Sequence, residues 1–112
     1  MRILLVVNFS PGSSRAVVEF AARTRPADTI VGVLSVVENI PPSAAELWFD
    51  AGGSLEAVSK ARMERAEELV LEVAALLRQR GLTVETAVRT GRRRRAIAQE
   101  AKSWSADQIV LT

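Results

Sequence analysis

Cysteine and histidine are both absent from the 112 residues, and the two absences remove much of the chemistry open to a small protein. Without cysteine there is no disulfide framework and no thiolate nucleophile. Without histidine there is no imidazole base for a Ser-His-Asp triad, and zinc sites of the usual Cys/His kind are excluded as well. Lysine is scarce: Lys60 and Lys102 stand alone, and neither lies in a Gly-x-x-x-x-Gly-Lys phosphate loop. Long apolar runs are also lacking. The stretch Ile3 to Val7 stops at Asn8 and Leu69 to Leu77 is broken by Glu72, so nothing approaches the roughly 20 apolar residues of a membrane span. The run after Arg2 is too short for a secretory signal and no small-residue cleavage site follows it. A cytoplasmic protein with no membrane partner is expected.

What is present suits a single soluble domain: 48% hydrophobic and 25% charged residues, in a chain long enough to bury a core without disulfides or a structural metal. The isoelectric point of about 9.9 suggests an anionic partner until the charges are located. Residues 1 to 91 carry 10 basic and 11 acidic side chains, whereas residues 92 to 112 set Arg92, Arg93, Arg94, Arg95 and Lys102 against Glu100 and Asp107. One tetra-arginine run therefore supplies the basicity. Glu64, Glu67, Glu68 and Glu72 recur at helical spacing among arginines, which suits exposed i,i+4 pairs better than an acid/base dyad. No enzyme activity and no protein-held metal are expected.

The order of elements follows from periodicity. Arg2 to Val7 is a short aliphatic run, apolar on both faces as a central strand is. Ser10 is a good N-cap and Pro11 suits the first helical position, opening a helix in which Ala16, Val17, Phe20, Ala21 and Thr24 share a stripe. Pro26 and Asp28 end it before a second strand, Thr29 to Val37. Pro41-Pro42 and Gly52-Gly53 make residues 38–54 a long loop, whose Trp48 and Phe49 suit either a lid or a fold-back onto the next helix. After Ser54 a long helix is predicted, with Leu55, Val58, Arg62, Ala66, Leu69, Val70, Val73, Leu76 and Leu77 on one stripe and Gly81 as its terminator. Leu82 to Val88 reads as a third strand, half polar and so suited to a sheet edge. A helix carrying Ile97, Ala98, Ala101 and Trp104 follows, and then a fourth short strand, Gln108 to Leu111. Alternating strands and helices with right-handed crossovers give an α/β fold, an open parallel sheet with helices on both faces. Its ligand crevice is expected at the carboxyl ends of the strands.

With these elements in place, the residues resemble the universal stress proteins. The opening Ile3-Leu4-Leu5-Val6-Val7-Asn8-Phe9-Ser10 is similar to that family's first strand followed by Asp-Gly-Ser, with Ser13, Ser14 and Ala16 beginning its first helix. Val36-Val37 resembles the end of its second strand. Arg89-Thr90-Gly91, Ile97-Ala98, Ala101 and Ala106-Asp107-Gln108-Ile109-Val110-Leu111 resemble its Gly-x-Pro-x-x-x-Ile helix and Ala-Asp-Leu-Ile-Val strand. The resemblance implies a Rossmann-like sheet of order 3-2-1-4-5 and a regulatory or interaction role. In the ATP-binding branch it also implies an adenine nucleotide, ATP or AMP, held by the turn after strand one, the end of strand two and a glycine loop after strand four. Here Asn8 stands where the acidic residue is expected, and the sequence reaches Thr112 where the loop would begin. The expectation is a universal-stress-protein-like domain over residues 1–112, C-terminally truncated, of order 3-2-1-4 with the fifth strand absent and nucleotide binding weakened.

The candidate nucleotide site comprises Asn8, Phe9, Ser10, Gly12, Ser13, Val36 and Val37. From the residues alone, the turn Asn8 to Ser13 reads as a capped helix ahead of an anion site at a helix N-terminus, and the resemblance brings the two readings nearer to even. Arg92, Arg93, Arg94 and Arg95 open the third helix, where cations oppose its dipole. The run reads as a solvated surface patch ahead of an anion patch, and a nucleic-acid-binding module is the alternative function it would serve. No aromatic residue interleaves them for base stacking, so nucleic acid is not the expected partner. Loss of a fifth strand would leave Ile109-Val110-Leu111 as an unguarded edge, and a homodimer or larger homo-oligomer covering it is expected.

Overall fold

The computed structural model describes residues 1–38 and 55–112; Trp48, Phe49 and the rest of the long loop beyond Glu38 lie outside the described residues. Strand β1 (Arg2–Val6) presents aliphatic side chains to both faces of the sheet, and Ile3, Leu4, Leu5 and Val6 are each no more than 2% exposed. Helix α1 (Pro11–Ala22) starts where its cap predicts: the Ser10 hydroxyl accepts from the Ser13 N–H at 3.1 Å and Pro11 fills the first position. At its other end Arg25 donates to the carbonyls of Phe20 and Arg23 and stacks on the Phe20 ring at 3.6 Å. Burial, and then the Arg23 charge, hold the Arg25 guanidinium below its ordinary value. Thr24 lies beyond the helix and is exposed.

Strand β2 (Ile30–Val37) leads to the long helix α2 (Leu55–Gln79). Its end is a Schellman closure: Gly81 has φ +84°, its N–H donates to the Arg78 carbonyl at 2.9 Å, and the Leu82 N–H reaches the Leu77 carbonyl at 3.2 Å. Strand β3 (Thr83–Thr90), helix α3 (Arg93–Ser103) and strand β4 (Gln108–Leu111) complete the described chain.

The four strands are parallel in the order β3-β2-β1-β4, with Leu5 opposite Val33 on one side and Val110 on the other. This is the expected 3-2-1-4 sheet. The α1 and α2 crossovers step in one direction and α3 returns in the other, so right-handedness puts α1 and α2 on one face and α3 on the opposite one. Ile3, Leu5, Val31 and Val33 pack beneath Val17 and Phe20 of α1 and Val70, Val73, Ala74 and Leu77 of α2. Leu4, Val6 and Leu34 meet Ile97 and Trp104. One detail of the predicted stripe shifts. Ala96 is the buried alanine of α3 and Ala98 is exposed, while Trp104 is the helix C-cap. The half-polar β3 lies at a sheet edge, as its composition predicts.

Candidate functional site

Four strand exits meet at the carboxyl end of the sheet, and hydrogen bonds tie them together. The Asn8 amide is committed locally: its oxygen accepts from the Ser10 N–H at 2.8 Å and its nitrogen donates to the Thr112 carbonyl at 3.3 Å. A carboxylate at position 8 could make the first bond but not the second, having no N–H to donate. Ser13, 1% exposed, accepts from the Asn8 N–H at 3.1 Å and shares a hydrogen bond with the Thr112 hydroxyl, which also donates to the Val6 carbonyl at 2.7 Å. The gap between β1 and β4, where strand order reverses, is thus closed by side chains. On the other side the Gly91 N–H donates to the Val37 carbonyl at 3.2 Å, with Gly91 at φ +126°, a conformation that suits glycine and folds the β3 exit onto that of β2.

Between the β1 and β2 exits a cavity of about 230 Å³ remains open. It is lined by Asn8 and Phe9, by Ser35, Val36 and Val37, and by Arg62, Arg65 and Ala66 of α2. Phe9 is 54% exposed, and the Arg65 guanidinium lies 4.7 Å from its ring centroid. No carboxylate lines this cavity.

Four of the seven sequence-predicted nucleotide residues therefore come together: Asn8, Phe9, Val36 and Val37. The other three do not line the cavity. Ser10 caps α1, Ser13 is buried beneath the turn facing a separate cavity between α1 and α2, and Gly12 is exposed. A Cβ at Gly12 would meet only the Ser10 hydroxyl at 3.9 Å. Arg92 to Arg95 are also outside the cavity. Arg92 occupies the N-cap of α3 without a side-chain capping bond, and no acidic residue lies in the first turn. Ser35, Arg62 and Arg65 were not among the predicted site residues. Their signal in the sequence is their misfit: Arg62 is the one charged residue on the apolar stripe of α2, and Ser35 the one hydroxyl within the aliphatic β2.

An open parallel sheet, helices on both faces and a cavity at the strands' carboxyl ends define a doubly wound α/β domain of the kind that holds small ligands at that end. The model of the Universal stress protein family matches residues 1–112, and the chain belongs to that family. Solved structures carry the same fold. A universal stress protein family member from Burkholderia pseudomallei aligns with TM-score 0.74 at 18% identity, over 98% of this chain and 79% of that one. A family member from Arabidopsis thaliana, solved with AMP bound, aligns with TM-score 0.64 at 19% identity, over 99% and 75%. One from Lactobacillus plantarum gives 0.61 at 20%, over 99% and 75%. No curated protein sequence is significantly similar to this chain. Among the described residues, no helix is long and apolar enough to cross a membrane, and no group of three or more metal-ligating side chains comes together.

Proposed function

We propose that this protein is a regulatory or interaction domain, not an enzyme, that binds an adenine nucleotide weakly between the β1 and β2 exits. The observation that carries the reading is the exposed Phe9 ring at the mouth of a cavity bordered by Asn8, Val36 and Val37. An aromatic left 54% exposed beside a recess walled in part by Val36, Val37 and Ala66 offers a stacking face for a purine, a contact worth about 1–3 kcal/mol per base. The Asn8 amide keeps one N–H beyond its bond to Thr112 for the base edge. The AMP-bound Arabidopsis relative, of the same fold, supports the ligand class. A cavity of about 230 Å³ falls below the roughly 300–1,000 Å³ of sites that enclose a whole drug-sized ligand, so weak binding is expected.

Calorimetric titration tests this. Adenosine should bind with a dissociation constant of about 0.1 mM or weaker, and Phe9→Ala should weaken it about tenfold or more while leaving the circular dichroism spectrum unchanged. Absence of adenosine binding at about 10 mM, or indifference to Phe9→Ala, overturns the reading.

A further inference from the structure

We infer that Arg62 and Arg65 of α2 form the receptor for a phosphoryl group at this cavity, deepening the nucleotide reading just given. Arg62 occupies a core-facing position one turn before Ala66, which is fully buried, and is itself partly buried. No ion pair or hydrogen bond of its guanidinium occurs among the described residues. The Arg65 guanidinium lies 4.7 Å from the Phe9 ring centroid and has no ion pair or hydrogen bond among the described residues. Two cations three residues apart on one helix face repel each other, and here no carboxylate lining the cavity offsets that repulsion.

A cationic pair in a recess is a counter-ion site, and guanidiniums are the side chains that match phosphate oxygens two bonds at a time. A second observation points the same way. Ser35 is 3% exposed and lines the same cavity, yet its hydroxyl makes no hydrogen bond among the described residues. That leaves a hydroxyl on the cavity wall able to donate to an anionic oxygen. The neutrality of Asn8 belongs to the same logic, since an acidic residue there would supply an internal counter-ion and compete with an incoming anion. Phe9 then has two neighbours to serve, Arg65 over one part of the ring and the base over the rest. The ligand is thereby a compact purine monophosphate, or inorganic phosphate in its place.

The experiment uses the full chain and three probes at matched ionic strength: adenosine, AMP and inorganic phosphate. AMP should bind about tenfold or more tightly than adenosine. Arg62→Met, which keeps the apolar stem, and Arg65→Gln, at an exposed position, should each bring AMP to the level of adenosine measured on the same variant. Phosphate alone should raise the melting temperature of the wild type and not of either variant. Equal affinity for AMP and adenosine with no effect of phosphate overturns the inference and leaves the base site intact. A phosphate effect that survives both substitutions overturns it as well. Arginine-dependent phosphate binding without any adenosine binding overturns the nucleotide reading and leaves the anion site. Should Arg62→Met fail to fold, Arg65→Gln decides alone.

Discussion

Gly32 sits in the middle of β2 between valines, where a glycine ordinarily weakens a strand by offering nothing to pack. The indole of Trp104 fills the place of its side chain. A Cβ at position 32 would stand 3.1 to 3.2 Å from three atoms of that ring, and the ring is anchored on several sides. Its Nε1 donates to Glu85 at 2.6 Å, the Arg2 guanidinium lies 4.1 Å from its centroid, and Arg2 Nε donates to the Trp104 carbonyl at 2.8 Å. Because the indole cannot swing away cheaply, Gly32→Ala should cost about 1–3 kcal/mol, the usual range for overpacking. Urea unfolding followed by circular dichroism measures it. The same substitution in a Trp104→Leu background should cost clearly less, and equal costs in the two backgrounds would remove the indole from the explanation.

Helices α1 and α3 start in opposite ways. At α1, Ser10 and Pro11 meet the needs of a helix N-terminus. At α3, Arg92 stands at the N-cap with backbone angles of −73° and 128°, suited to a capping residue, but supplies no side-chain acceptor. Arg93, Arg94 and Arg95 follow it against the dipole. Since the backbone is already in cap geometry, Arg92→Asp should add the missing acceptor and relieve charge together. The expected gain is about 1 kcal/mol, or a rise of about 4 °C in melting temperature for a domain of this size. Calorimetric scans at low and high salt check it: a gain that shrinks with salt is the dipole part, and one that persists is the hydrogen bond. No gain at either salt would mean that the run is stabilised by contacts of another kind. Arg89 ties α3 to the sheet through a fork onto Glu100 at 2.8 and 3.3 Å.

At the scale of the molecule, the two faces of the sheet are covered unequally. Helix α3 packs over β2 and β3, while Ile109 and Leu111 of β4 remain 45% and 63% exposed. Their register partners Leu4 and Val6 belong to the buried cluster on the same face, so the apolar surface runs from that core to the sheet edge. Among the described residues nothing pairs with the outer side of β4. We propose that a second copy of the chain covers this edge. Leu111→Lys is the discriminating change, because its side chain is exposed. Val110 faces the α1 side and packs against that core, so a lysine there would disturb the fold as well. Sedimentation velocity should show an assembly for the wild type and a monomer for Leu111→Lys. A monomeric wild type ends the proposal, and an unaltered assembly places the contact elsewhere.

The elements and their order were legible in the sequence because each rests on local physics: aliphatic runs too short for helices, the Ser10-Pro11 start, the apolar stripe of α2, Gly81 at its end. Order and crossover handedness then leave few topologies, and the resemblance selected among them. Asn8, Phe9, Val36 and Val37 were legible as neighbours at the exits of adjacent central strands, and the resemblance is what proposed them as ligand contacts. What no local pattern carries is which distant groups converge on those exits. Ser13 became a structural hydrogen-bonding partner because Thr112, 99 residues away, returns beside it. Arg62 and Arg65 became part of the cavity because α2 crosses back over the β1 and β2 exits. Each of these depends on parallel pairing between strands remote in sequence, and such contacts are decided by the packing of the whole sheet rather than by the residues on either side.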